Sequence, residues 1–220
     1  MRLFAFIAAL IIALVTSCSA IGQKADLPKG ATLLTDSATA MRAVTSTHFA
    51  VEVEGNSPGV QLRSAEGQLT RAGSAKGVAK VDEGAQLLEL QFVIIGQDLY
   101  LKPPTGPVQK LPLSFAGTVY DPSVILNPDR GIAAALASGT GPTTEAREQV
   151  DGVDTYRLQV KFPAQPLGSL VPQLAQDKTS EIWVATQGSR LIKAQFPTTY
   201  GSATAHFSDF DVPVEITPPS

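Results

Sequence analysis

Residues 85–104 read AQLLELQFVIIGQDLYLKPP. Leu88, Leu90, Phe92 and Ile94 fall on one side of an extended chain, while Val93 and Ile95 make its later half apolar on both sides. A period of two over ten residues is a strand. Gly96 and Gln97 then separate it from a second short alternating run, Asp98 to Lys102, which is the spacing of a tight antiparallel hairpin. The flanking sequence repeats this grammar. Upstream, Phe49, Val51 and Val53 alternate with Ala50, Glu52 and Glu54, and VQLRSAEGQLTRAG (60–73) and AKGVAKVDEG (75–84) read as the next two strands. Downstream, DTYRLQVKFP (154–163) sets Tyr156, Leu158, Val160 and Phe162 against Thr155, Arg157, Gln159 and Lys161. TSEIWVA, RLIKAQFPTT and ATAHFSDFDVP continue the series to residue 213. Successive strands with short turns predict an antiparallel meander.

Helical patterns are fewer. TDSATAMRAVTST (35–47) predicts a helix capped by Thr35 or Asp36, with Ala38, Met41 and Val44 on one face. YDPSVILNPDRGIAAALASG (120–139) predicts two short helices, with Asp121 and Asp129 at the N-cap positions and Pro122 at the first turn. AQPLGSLVPQLAQ (164–176) is a third, interrupted by proline. The expected order is a helix, about five strands, a helical insert and four or five more strands.

The 220 residues are 44% hydrophobic and 17% charged, with a net charge of -3. That permits a sizeable core, and the lack of a basic field argues against nucleic acid. The N-terminus is MRLFAFIAALIIALVTSCSA: one cation, an uncharged apolar run from Leu3 to Val15, then small residues ending at Cys18. This is a signal peptide by length and pattern. Cys18 is the only cysteine, so no disulfide within the chain is available. The expected organisation is a signal peptide at 1–17, an N-terminal segment and polar tether at 18–31, which the lipobox resemblance described below makes lipidated at Cys18, and a single domain at 32–220.

Catalytic patterns fail on chemistry. GNSPG (55–59) fits the G-x-S-x-G elbow of serine hydrolases, but the residue after Ser57 is Pro58, which has no N–H for an oxyanion hole. The following segment is strand-like, and a hairpin loop is the better reading. His48 and His206 are the only histidines, and with one cysteine they make no zinc pattern. SGTGPTTE (138–145) lacks the lysine of a phosphate-binding loop and reads as an ordinary loop. No catalytic residue, metal or cofactor is expected. One anomaly remains: Gly77, Ala79 and Val81 share a strand face, and small residues on a core face leave room unless something fills it.

Val15-Thr16-Ser17-Cys18 resembles a bacterial lipobox, in which the cysteine thiol is acylated after the signal is removed. The blocks STHFAVEVEG, SAEGQLTRAG, LQFVIIGQDLYLKP, YDPSVILNPDRGIAAAL and EIWVATQGSRLIKAQF resemble the mycobacterial LppX/LprAFG lipoprotein family over about residues 33–218. The resemblance implies an α+β fold. Its strongly curved antiparallel sheet forms a LolA-like half-barrel, with helices covering the concave face around a hydrophobic cavity. It further implies a protein without enzymatic activity, anchored through Cys18 on the outer face of the cytoplasmic membrane. Such a protein binds acyl lipids and glycolipids of phosphatidylinositol mannoside, lipoarabinomannan or triacylglycerol type and helps to move them outward, with an envelope transporter as a candidate partner. The residues expected to line the cavity are Gly77, Ala79, Val81, Leu90, Phe92, Ile94, Val124, Ile125, Ile132 and Leu136. The alternative is an envelope interaction protein with a filled core and no lipid cargo.

Overall fold

The computed structural model describes residues 27–55, 61–84, 86–116, 122–170, 177–198 and 201–219. Within them the meander continues past the expected five strands. β1 (Ser46–Gly55), β2 (Leu62–Thr70), β3 (Ala75–Glu83), β4 (Gln86–Ile95), β5 (Asp98–Lys102) and β6 (Gln109–Pro112) follow one another. A second run comprises β7 (Thr140–Val150), β8 (Val153–Phe162), β9 (Lys178–Ala185), β10 (Leu191–Thr198) and β11 (Gly201–Ser208). The two runs join where β1 pairs with β11, which gives one eleven-stranded antiparallel sheet in the order β6-β5-β4-β3-β2-β1-β11-β10-β9-β8-β7. The sheet does not close. β6 and β7 are its two edges, and the segment joining them in sequence crosses from one edge to the other.

That crossing holds the helical insert: a 3-10 turn (Leu113–Ala116), α2 (Pro122–Ile125) and α3 (Ile132–Ser138). With α1 (Gly30–Ala43) and α4 (Ala164–Leu170), these helices cover part of one face of the sheet. α1 presents Leu34, Ala38 and Met41 at helical spacing, all buried, and packs against α3.

Three local expectations are corrected. β7 occupies the stretch read as a loop around SGTGPTTE. It is an edge strand, where Pro142 and the alternating charges of Glu145, Arg147 and Glu148 are tolerated and guard the open edge against pairing with other chains. Its polarity hid it. Second, α1 begins at Gly30 rather than at Thr35 or Asp36, and Lys29 is its N-cap. Thr35 and Thr39 sit inside the helix, each hydroxyl donating to the carbonyl four residues back. The helix start is held against β7, since the Thr144 hydroxyl donates to the Pro28 carbonyl at 2.7 Å and a Cβ on Gly30 would lie 2.6 Å from the Pro142 oxygen. Third, Asp129 does not cap α3; Gly131 does. Asn127 organises the turn instead, its side-chain oxygen accepting from the N–H groups of Asp129 and Arg130 at 3.0 and 3.1 Å. A Cβ on Gly131 would sit 2.1 Å from the Ile125 carbonyl, so this turn needs glycine. Pro122 opens α2 as expected, while Asp121 lies outside the described residues.

Candidate functional site

Directly paired residues of an antiparallel sheet share a face, so the ladder registers define what the concave side presents. Across β2, β3, β4 and β5 the rows are Leu69–Ala75–Ile94–Leu99, then Gly67–Gly77–Phe92–Leu101, then Ala65–Ala79–Leu90. Val81 stands in the next row with Leu88. Phe49 and Val51 on β1 continue two of these rows, and Phe207, Ala205 and Ala203 on β11 carry the face into the second run. There it proceeds through Ala194 and Phe196 to Ile182 and Val184, and on to Tyr156 and Leu158. Six of the ten residues expected to line a cavity therefore stand together on this face: Gly77, Ala79, Val81, Leu90, Phe92 and Ile94.

The two halves of the face differ in cover. On β8 and β9, Leu158, Val160 and Val184 are 0% exposed and Ile182 is 1% exposed, sealed under α1 and α3. On β1 to β4 the apolar side chains Val51, Val53, Ala65, Ala79, Val81, Leu88, Leu90 and Phe92 are all part-exposed. Only the turn-proximal row there is shut, with Leu69, Ala75, Ile94 and Leu99 buried. The insert residues divide accordingly. Ile125, Ile132 and Leu136 are buried in one cluster with Ile94 and with Leu33, Leu34 and Met41 of α1, whereas Val124 is part-exposed. Ile125, Ile132 and Leu136 are thus what α2 and α3 contribute to the packed core, and the open surface is the face of β1 to β4.

The small residues have two distinct causes. Ala79 faces Ala65, and the pair lowers the floor of the open half. Gly77 does more than leave room. A Cβ there would lie 2.0 Å from the Glu66 carbonyl, and one on Gly67 would lie 2.0 Å from the Lys76 carbonyl. The two strands crease at this glycine pair, with Phe49 and Phe92 flanking it on the outer strands. A second pair, Gly55 and Gly201, creases β1 against β11: a Cβ on Gly201 would meet the Glu54 carbonyl at 2.1 Å. Sequence reading missed Ala65, Gly67, Ala203 and Ala205. Their signal was available, since each alternates with polar residues in its own strand.

The opposite face is more polar, although it carries Val78, Val93 and Ile95 on β3 and β4 and the buried Trp183 on β9. Lys80 pairs with Glu89 at 3.9 Å, and Arg157 stands among Glu145, Glu148 and Glu181. His206 is part-exposed, with Nδ1 2.6 Å from the Asp151 carboxylate. At the end of β3 the Arg63 guanidinium bonds Asp82, which holds that carboxyl below the usual carboxylate range. Among the described residues no group of three or more His, Cys, Asp or Glu is arranged to hold a metal, and no helix is long and apolar enough to cross a membrane. Cys18 and Ser57 lie outside the described residues.

With this geometry in view, the chain's likenesses are specific. It is 33% identical to the lipoarabinomannan carrier protein LprG of Mycolicibacterium smegmatis, over 94% of this chain and 91% of that one. The protein of the same name from Mycobacterium tuberculosis is 30% identical, over 99% of this chain and 95% of its own. In structure it is similar to LprF from Mycobacterium bovis, with a TM-score of 0.77 at 24% identity over 86% of this chain and 96% of that one. Mycobacterium tuberculosis LppX shares the fold at a TM-score of 0.64 and 22% identity, over 85% of this chain and 99% of the other. The LppX_LprAFG lipoprotein model matches residues 29–216, from the start of α1 to the segment beyond β11, and the chain belongs to that family.

Proposed function

We propose that this protein is a lipid-anchored carrier that shelters acylated lipids against the concave face of β1 to β4 and helps transfer them to the outer cell envelope. The observation that carries the proposal is the unequal cover of that face. Eight apolar side chains on one continuous surface remain part-exposed, whereas Leu158, Val160, Ile182 and Val184 on β8 and β9 of the same face are buried. Relatives named as lipoarabinomannan carriers support the same reading. Phosphatidylinositol mannosides, lipoarabinomannan and triacylglycerols are the cargo types in view. Acylated Cys18 holds the carrier to the outer face of the cytoplasmic membrane, and a transporter in that membrane is a fitting supplier. No catalytic step is required.

Physical chemistry explains why a carrier is needed. Each CH₂ moved from an apolar medium into water costs about 0.8 kcal/mol, so a sixteen-carbon chain costs roughly 12 kcal/mol. That is about nine orders of magnitude in population for one chain. A groove lined by Val, Leu and Phe replaces one apolar medium by another and brings the exchange near balance.

The deciding experiment is native mass spectrometry of the full-length protein purified from a mycobacterial host. The expected result is an adduct of one acylated lipid per chain, released by organic extraction and identified by fragmentation. A bare protein mass under conditions that preserve lipid adducts on a control carrier would overturn the proposal and favour the filled-core alternative.

A further inference from the structure

At the margin of the packed half, on β9 and at the end of the adjacent β10, stand two hydroxyls with no hydrogen-bond partner among the described residues. Ser180 on β9 is 2% exposed, and its Oγ is buried without a hydrogen-bond partner. Thr198, the last residue of β10, has a buried Oγ1 in the same condition. Ser180 pairs with Val160, which is fully buried on the concave side. Thr198 lies two residues beyond Phe196 and so shares its face. Extending the Gln195–Glu181 register by one residue sets Ser180 beside Phe196, with Thr198 on the diagonal about 7–8 Å away. Towards the open half, the neighbours in these rows have little or no side chain: Ala203 pairs with Phe196 and Gly201 with Thr198.

An unpaired buried hydroxyl is a standing cost to the fold, and folded proteins retain few of them. Two on one face, at one margin, point to a polar group that arrives with a ligand. Their surroundings restrict what that ligand is. Val160 and Phe162 are buried beside them, and the Phe162 and Phe196 rings lie 6.2 Å apart, tilted. The polar group therefore belongs to a molecule that is otherwise apolar. Both orphans are hydroxyls, each with one O–H to donate, so a group that only accepts is enough to satisfy them. An ester carbonyl at the root of an acyl chain meets every condition. We propose that Ser180 and Thr198 hold ester carbonyls of the cargo and so set the depth of the acyl chains in the groove. This rests on the carrier function proposed above.

The test compares wild type with the Ser180→Ala/Thr198→Val variant, both as full-length protein in detergent. The probes are a pyrene-labelled triacylglycerol and the corresponding trialkyl ether, which has the same chains but no carbonyls. Wild type is expected to bind the ester roughly tenfold more tightly than the ether, the worth of one to two net hydrogen bonds. The variant is expected to bind both alike, at the level of the ether. Its thermal midpoint should equal or exceed that of wild type, because removing an unpaired buried hydroxyl relieves a cost. An ester-to-ether ratio that is the same in both proteins, or close to one in wild type, overturns the assignment while leaving the carrier function standing. Binding of neither probe by wild type removes the carrier function for such lipids, and the assignment with it. Should the double variant not fold, Ser180→Ala and Thr198→Val are compared singly on the same ratio.

Discussion

Gly77→Ala adds a single methyl group to a part-exposed position whose neighbour two residues on is already alanine. If Gly77 only kept the groove floor low, the change would be nearly silent. The crease requires otherwise. The new Cβ would start 2.0 Å from the Glu66 carbonyl oxygen, and Gly77 has no positive φ to complicate the comparison. Carbon–oxygen contacts between strands settle near 3.3 Å or more, so β2 and β3 must part by about 1.3 Å. Strand spacing is roughly 4.8 Å, and a local gap of about 6 Å breaks the ladder hydrogen bonds on either side. Those bonds are worth about 0.5–1.5 kcal/mol each, and forced overpacking costs about 1–3 kcal/mol, which together place the loss near 2–4 kcal/mol. For a domain of this size each kcal/mol moves the thermal midpoint by about 2–4 °C, so Gly77→Ala should lower it by about 4–16 °C. Circular dichroism melting of the purified variant measures this. Gly84→Ala is the control: nothing lies within 4 Å of its Cβ, and only the left-handed backbone, φ 64°, penalises it, by about 1–2 kcal/mol. A Gly77→Ala midpoint within about 2 °C of wild type would refute the crease and return Gly77 to a mere space-maker.

Other changes separate the remaining claims. Ala79→Trp fills the open floor beside Ala65 and Leu90, so it should keep most of its thermal stability and lose bound acyl lipid by mass spectrometry. Lys80→Trp, on the opposite face, should retain its lipid, and loss there instead would contradict the placement of the groove. Gly131→Ala drives a methyl onto the Ile125 carbonyl and should destabilise by about 1–3 kcal/mol in chemical denaturation; an unchanged midpoint would show that the α2–α3 turn yields freely. Burial pushes the Asp211 carboxyl up, but hydrogen bonds from the Thr45 N–H and hydroxyl and the Arg190 guanidinium outweigh it and hold the group below the usual carboxylate range. Its stabilising contribution is therefore complete above about pH 4, the unfolded value, and is lost as pH falls through the lower folded one. Asp211→Asn should cost stability at pH 7 and leave a shallower acid limb in pH-dependent melts; a parallel limb would contradict the linkage. Cys18→Ala should leave melting unchanged and move the protein out of the membrane fraction, and full retention there would sink the lipid anchor.

The sequence alone determined the strands from β1 to β5, the paired residues of the β4–β5 hairpin and the strong strand β8, because alternation of apolar and polar residues is a local record of a half-buried sheet. It also determined that Gly77, Ala79, Val81, Leu90, Phe92 and Ile94 point the same way, since a strand's period and its pairing with a hairpin neighbour are both short-range. β7 stayed hidden because an edge strand must be polar, although Asp151-Gly152, a turn with positive φ at both residues, already required a partner strand before β8. What sets β1 beside β11 is a contact between residues some 150 positions apart, and no local pattern encodes it. The same holds for the glycine creases. Whether Gly67 and Gly77 merely lack a side chain or meet backbone to backbone depends on register across two strands, a property of the assembled sheet. The division of one apolar face into a sealed half and an open half was likewise decided in three dimensions. Leucine and valine have the same character in both halves, and only the route of α1 and α3 determines which of them are covered.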